Sequence, residues 1–143
     1  SQKLIGGQME DILGEDQQLS GDELNFIHLN KTSALIEGSL KMGATIGKAS
    51  RDQIEQIADY GRCIGLGFQI MDDILDATSN SETMGKEVGA DEAANKSTFV
   101  SIHGLQYSRC KLDELTEKAY QICADLNAPF LGNFARYLNE RTF

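Results

Sequence analysis

The chain has 143 residues and a formal net charge of -9, long enough for one cored domain and of the wrong sign for a basic nucleic-acid surface. One proline beside 14 glycines argues against a loop-rich β protein, and Cys63, Cys110 and Cys123 match neither a disulfide framework nor a metal spacing. No apolar run approaches the length of a membrane span and no signal peptide is visible, so a cytoplasmic setting without stable membrane insertion is expected.

Residues 2–15 read as a helix with apolar Leu4, Ile5, Met9, Ile12 and Leu13, on which Gln8 and Asp11 fall one turn apart. Gly6 and Gly7 weaken that helix by roughly 1 kcal/mol each against alanine and suit a place where something approaches the backbone closely. A poor helix with solvated polar groups is the plainer alternative. Ser20-Gly21-Asp22 is a turn signal and a helix N-cap. The helix that follows is interrupted or bent over residues 28–32. From Thr32 to Gly47 apolar and small residues alternate so densely that a tightly packed helix is expected. Lys31 stands at its start, against the helix dipole, either as a solvated cation or as an anion-binding group.

Ser50-x-x-Gln53 is a capping box and opens a long helix over residues 51–76. Ile54, Ile57, Ala58, Ile64 and Phe68 form its buried face, and Gly61, Gly65 and Gly67 imply close approach of another backbone or a ligand. Residues 77–98 are strongly polar and read as one long loop carrying Lys86 and Lys96. A short helix from Phe99 to about Leu105 comes next. An amphipathic helix over 108–125 presents Leu112, Leu115, Ala119 and Ile122 on one face. A last helix runs from Pro129, at a position where a first-turn proline is tolerated, to about Glu140. No strand or internal repeat is visible, and the fold class is all-α.

One polar stripe interrupts the long helix. Gln69, Asp72, Asp73 and Asp76 recur at i, i+3, i+4 and i+7, on one helical face. Like-charge pairs at i,i+4 cost roughly 0.2–0.5 kcal/mol each even in water, and dehydration raises the cost. A facing cation would offset it. Mg²⁺ takes few protein carboxylates and completes its octahedron with water and phosphate oxygens. Lysines on a neighbouring loop can neutralise the same phosphates. Cations gathered on a diphosphate make it a good leaving group, and apolar walls keep water from a reactive cation. A solvated acidic patch is the plain alternative, and a bare DDxxD does not separate the two. An EF-hand opening at Asp76 fails, because Ser81 stands where the sixth-position glycine belongs and Thr78 occupies the third position. His28 and His103 are isolated, and no serine or cysteine has a triad-like context.

Gly7-Gln8-x-x-Asp11, Lys31-Thr32, Phe68-Gln69-x-x-Asp72-Asp73-x-x-Asp76, Gly85-Lys86, Gly89-x-Asp91 and Lys96-Ser97-Thr98 occur in this order, with Tyr137-Leu138-Asn139-Glu140-Arg141 at the end. Together they closely resemble the C-terminal half of trans-isoprenyl diphosphate synthases of the short-chain bacterial farnesyl/geranylgeranyl type. Each motif is weak alone; their order and spacing are specific. The resemblance implies an isoprenoid synthase-type helical bundle around a central cavity. It also implies Mg²⁺-dependent condensation of an allylic diphosphate with isopentenyl diphosphate in a homodimeric enzyme. By position, Asp72, Asp73 and Asp76 resemble the second aspartate-rich, Mg²⁺-binding motif, and Lys31, Lys86 and Lys96 the lysines that contact the allylic diphosphate. Thr32 and Gln69 match polar groups beside the developing allylic cation, and Gln8 and Asp11 a polar pair facing the cavity. The first aspartate-rich motif and the basic isopentenyl-diphosphate site of the family lie N-terminal to everything in this sequence. Residues 1–143 are therefore expected to be the C-terminal half of one synthase domain, inactive by itself. A non-catalytic partner subunit and a terpene cyclase are the alternatives. The lysine set with Gly7-Gln8-x-x-Asp11 favours the synthase over the cyclase, and three clustered carboxylates argue against a non-catalytic role.

Overall fold

A computed structural model of the chain describes residues 5–6, 20–83 and 97–139. Helix follows helix, and no strand occurs among the described residues. The predicted helix over 2–15 falls outside them apart from Ile5 and Gly6, which are helical. Ser20 opens α1 (Gly21–His28) with a reciprocal cap: its Oγ accepts from the Glu23 N–H at 3.3 Å, and its own N–H donates to Glu23 Oε2 at 2.8 Å. The expected bend is a π-helical turn over Leu29–Ser33, from which α2 (Ala34–Ile46) continues. At its onset Asn30 Nδ2 donates to the Phe26 carbonyl oxygen at 2.8 Å, a side chain supplying a hydrogen bond where the backbone ladder widens.

Ser50 caps α3 (Arg51–Thr83) as its pattern predicts. The Gln53 N–H donates to Ser50 Oγ at 3.2 Å, and the Ser50 N–H donates to Gln53 Oε1 at 2.9 Å. This helix is 33 residues long, about 50 Å, and it outruns the predicted end at Asp76. Polarity after Asp76 does not mark a break, since neither glycine nor proline occurs between Gly67 and Gly85. Thr78 Oγ1 bonds back to the Ile74 carbonyl oxygen at 2.8 Å, within the helix. Beyond the polar segment come α4 (Phe99–His103), α5 (Leu105–Asp125) and α6 (Pro129–Asn139). Gly104, at φ +83°, makes the break between α4 and α5, so α5 starts three residues before the predicted Ser108.

Two apolar cores lie along α3. Ile57, Tyr60, Cys63 and Ile64 pack with Ala119 and Cys123 of α5 and Ala135 of α6. Further along, Ile70, Met71 and Ile74 pack with Leu24 of α1, Phe99 of α4 and Leu112 of α5. Each fully buried side chain such as Ile70 contributes roughly 1.5–3 kcal/mol. On another side α2 crosses α3 at backbone distance. A Cβ on Gly61 would stand 2.9 Å from Glu37 Cα and one on Gly65 2.5 Å from Ser33 Cα, the close backbone approach expected there; at Gly67 the nearest atom is only Leu112 Cδ1, at 3.4 Å. Glu37 also takes Arg62 Nη1 at 3.1 Å, and Asp59 bonds the other end of the same guanidinium.

Tyr60, 1% exposed, donates its hydroxyl to the Leu131 carbonyl oxygen at 2.8 Å and so ties α3 to α6. Burial pushes its phenol above the ordinary range, with the nearby Cys123 thiol adding to the effect. A native pKa raised above the unfolded one gives stability that is complete below about pH 10 and lost as pH climbs further. Tyr60→Phe is expected to cost about 0.5–1.5 kcal/mol at neutral pH, the net worth of that hydrogen bond. It should also flatten the alkaline limb of the stability curve. Denaturant unfolding at neutral pH and above the tyrosine range checks both, and equal alkaline limbs would refute the linkage.

Candidate functional site

The polar stripe of α3 runs from the packed part of the helix toward solvent: Gln69, Asp72 and Asp73 are half-buried and Asp76 is exposed. The π turn that contains Lys31 and half-buried Thr32 packs on the same helix. Two contacts give the direction of this pairing: a Cβ on Gly61 would meet Glu37, and one on Gly65 would meet Ser33. Four residues separate the partners on each strand of the crossing, and the order reverses, so the segments run antiparallel. Continuing that register lays residues 29–32 alongside the next turn of α3, which ends in Gln69. That register brings the π turn of Lys31 and Thr32 to the turn of α3 that ends in Gln69, just before the acidic residues. Gln8, Asp11, Lys86 and Lys96 lie outside the described residues.

Asp73 makes a long-range contact. Its Oδ2 accepts the Phe99 N–H at 2.6 Å, across 26 positions of sequence. That amide is one of the donors a helix N-terminus leaves without an intrahelical partner, and a carboxylate acceptor makes the bond charge-assisted. Thr98 completes the start of α4: its Oγ1 accepts from the Ser101 N–H at 3.0 Å, while Ser101 Oγ accepts from the Thr98 N–H at 2.9 Å. The start of α4 is therefore seated on the acidic stripe itself. The Thr98-x-x-Ser101 spacing is a legible capping signal that our reading of the sequence passed over. The Asp73–Phe99 pairing has no local signature at all.

The donor chemistry fits a hard cation. Asp72 and Asp76 stand one turn apart at the open end of the stripe, and Asp73 sits between them in sequence with one oxygen on Phe99. Among the described residues no three carboxylate, imidazole or thiol groups converge as a closed metal cage. Mg²⁺ needs no such cage, since one or two carboxylates plus substrate oxygens suffice. Burial pushes the thiols of Cys63 and Cys123 above the ordinary range, which keeps them protonated and unreactive within the core. A gap of about 10 Å³ beside Cys63, Gly67, Leu112 and Leu138 has room for at most one water.

The family model described as "Polyprenyl synthetase" matches residues 1–128. The chain belongs to the polyprenyl synthetase family. It is 39% identical over 144 residues to a protein of Catharanthus roseus named "Geranylgeranyl pyrophosphate synthase, chloroplastic", matching 96% of this chain and 40% of that one. To a protein of Arabidopsis thaliana named "Heterodimeric geranylgeranyl pyrophosphate synthase large subunit 1, chloroplastic" it is 43% identical over 145 residues, 96% of this chain and 39% of the relative. A solved geranyltransferase from Helicobacter pylori, complexed with magnesium and isoprenyl diphosphate, superposes with a TM-score of 0.73 at 29% identity. That match covers 96% of this chain and 46% of the bacterial one. The all-α isoprenyl synthase fold expected of this polyprenyl synthetase chain is therefore present, and the chain spans about 40% of the length of the curated relatives it matches. No described helix is long and apolar enough to cross a membrane.

Asp73→Ala is expected to loosen the start of α4 by about 1–3 kcal/mol, the cost of stranding a buried donor. Asp73→Asn, which keeps an acceptor oxygen, should cost less. Amide exchange at Phe99 and its neighbours reads the difference, and an Asp73→Ala protein with native protection there would remove the link.

Proposed function

We propose that residues 1–143 form the C-terminal half of a single polyprenyl synthase domain. The protein that contains them condenses isopentenyl diphosphate with an allylic diphosphate to give farnesyl or geranylgeranyl diphosphate. The observation that carries this reading is the stripe of Gln69, Asp72, Asp73 and Asp76 on one face of α3, the helix on which the π turn of Lys31 and Thr32 packs one turn earlier. Family membership and the names of the relatives support it. So does the exposed apolar stripe on α2, where Leu35, Met42 and Ile46 are 58%, 63% and 82% accessible. A face of that kind suits coverage by the rest of a domain.

In this reading Asp72, Asp73 and Asp76 hold Mg²⁺, and the magnesium named with the Helicobacter pylori structure agrees with that choice. When bound, Mg²⁺ neutralises the diphosphate and stabilises the charge that grows on it as it leaves. Lys31, Lys86 and Lys96 bind the same diphosphate as point charges. Thr32 and Gln69 turn neutral oxygen dipoles toward the allylic carbon from which the diphosphate departs, favouring positive charge there without offering a nucleophile. Gln8 and Asp11 add polar groups from the preceding segment. Apolar α3 and its neighbours keep water out of the reaction. The departing diphosphate is itself the base for the final proton loss, so the scheme requires no histidine. The assembly is a homodimer in the cytoplasm.

In the full-length protein, Asp72→Ala is expected to lower Mg²⁺-dependent turnover by about 100-fold or more, the scale of losing one charge-stabilising group. Its far-ultraviolet circular dichroism should stay near wild type. Unchanged turnover would sink the metal assignment. The 143 residues expressed alone are expected to self-associate through the uncovered α2 face; sedimentation as a stable monomer would count against the half-domain reading.

A further inference from the structure

Gly65 meets Ser33 more closely than any side chain would allow. A Cβ on Gly65 would lie 2.4 Å from Ser33 Oγ, 2.5 Å from its Cα and 2.7 Å from its Cβ. Ser33 is 1% exposed and is the last residue of the π turn, directly after Thr32. A π turn holds one residue more than an α turn needs, so its backbone can settle in more than one register unless something fixes its end. The bare Cα of Gly65 provides that stop. It also lies four residues before Gln69 on α3, so one contact sets the turn of Lys31 and Thr32 against the helix that carries Gln69 and the acidic stripe.

We infer that Gly65, acting through Ser33, is a positioning residue: it fixes the height and rotation of the Lys31–Thr32 turn relative to Gln69. This rests on the synthase reading given above and adds to it a residue that touches neither substrate nor metal. An alanine at 65 drives Ser33 back by about 1 Å before ordinary contact is reached. Displacing a reacting constellation by that much costs on the order of 100-fold in rate.

Gly61 supplies the control. It lies one turn before Gly65 on α3 and is crowded by the α2 backbone in the same way, at 2.9 Å from Glu37 Cα, but its partner is five residues past Thr32. The experiment compares Gly65→Ala, Gly61→Ala and wild type in the full-length protein. It reads thermal midpoint, turnover per folded molecule, KM for isopentenyl diphosphate, and calorimetric affinity for inorganic pyrophosphate with Mg²⁺.

Both variants should melt at a lower temperature. Gly65→Ala alone should lose about 10–100-fold in kcat and bind Mg²⁺-pyrophosphate more weakly, with KM for isopentenyl diphosphate within about twofold. Gly61→Ala should keep wild-type kcat and pyrophosphate affinity in its folded fraction. Ser33→Gly in the Gly65→Ala background removes two of the three clashing atoms and should recover part of the lost kcat. If Gly65→Ala does not fold, Ser33→Thr presses one extra methyl group into the same contact and should lower kcat about threefold or more.

A folded Gly65→Ala or Ser33→Thr protein with wild-type kcat and pyrophosphate affinity overturns the inference while the synthase reading stands. Equal loss in Gly61→Ala and Gly65→Ala also overturns it, since general strain would then explain both. A wild-type protein that neither transfers prenyl groups nor binds Mg²⁺-pyrophosphate overturns the synthase reading, and the positioning role with it.

Discussion

The packing of α3 constrains everything else in this structure. α2 and the π turn lie against it on one side, α5 and α6 on another, and α1 and α4 near its far end. At Gly61 and Gly65 the crossing backbone comes so close that any side chain would collide. A helix held in this way can carry carboxylates only where no neighbour desolvates them, because a buried charge without a partner costs several kcal/mol. The graded exposure of the stripe, from half-buried Gln69 to exposed Asp76, follows from that rule. The same packing that makes α3 rigid makes the stripe a fixed platform, with side chains whose backbone cannot drift.

What was legible in the sequence was local. The caps at Ser20 and Ser50 depend on a donor and an acceptor three positions apart, and both formed as their patterns predict. The bend at residues 28–32 and the close approach at Gly61 and Gly65 came from residue types that serve few other purposes. The misreadings share a cause as well. Residues 77–83 looked like loop because they are polar, yet a helix end is polar too, and no glycine or proline stops it there. Asp73 read as one more carboxylate of the stripe, and its bond to Phe99 joins positions 26 apart that no periodicity connects. The ring of His103 also joins those of Phe99 and Tyr107 in an aromatic cluster, at 4.6 and 5.1 Å between centroids, which the sequence does not signal. Tertiary partners of this kind depend on how elements cross, and crossing is not written in any short window.

Electrostatics links the stripe to the proposed chemistry. A chain with a net charge of -9 repels a diphosphate at long range. At physiological ionic strength that repulsion fades beyond about 8 Å, so binding has to be won by contacts inside that distance. Carboxylates and phosphates attract one another only through a cation between them. In the synthase reading the acidic stripe therefore does not hold the substrate; it holds what holds the substrate, and the lysines supply charge of the same sign without competing for the same oxygens of the protein. On that reading, substrate affinity is strongest when the metal is bound.

Charge alone does not decide where the allylic bond breaks. The groups assigned to that task, Thr32 and Gln69, are neutral, and dipoles lose strength with distance and angle faster than charges do, so their placement has to be tighter. The structure meets the two demands differently. The acidic stripe ends toward solvent, where a hydrated ion can adjust its water ligands. Thr32 sits one residue from Ser33, which is seated against the bare backbone of Gly65 with no slack. The packing is closest next to the groups whose action depends most on geometry, and looser where an ion can compensate. That ordering is what a reaction through a short-lived cation requires: the charge may be gathered by adaptable partners, but the surface facing the cation must already be in place when it forms.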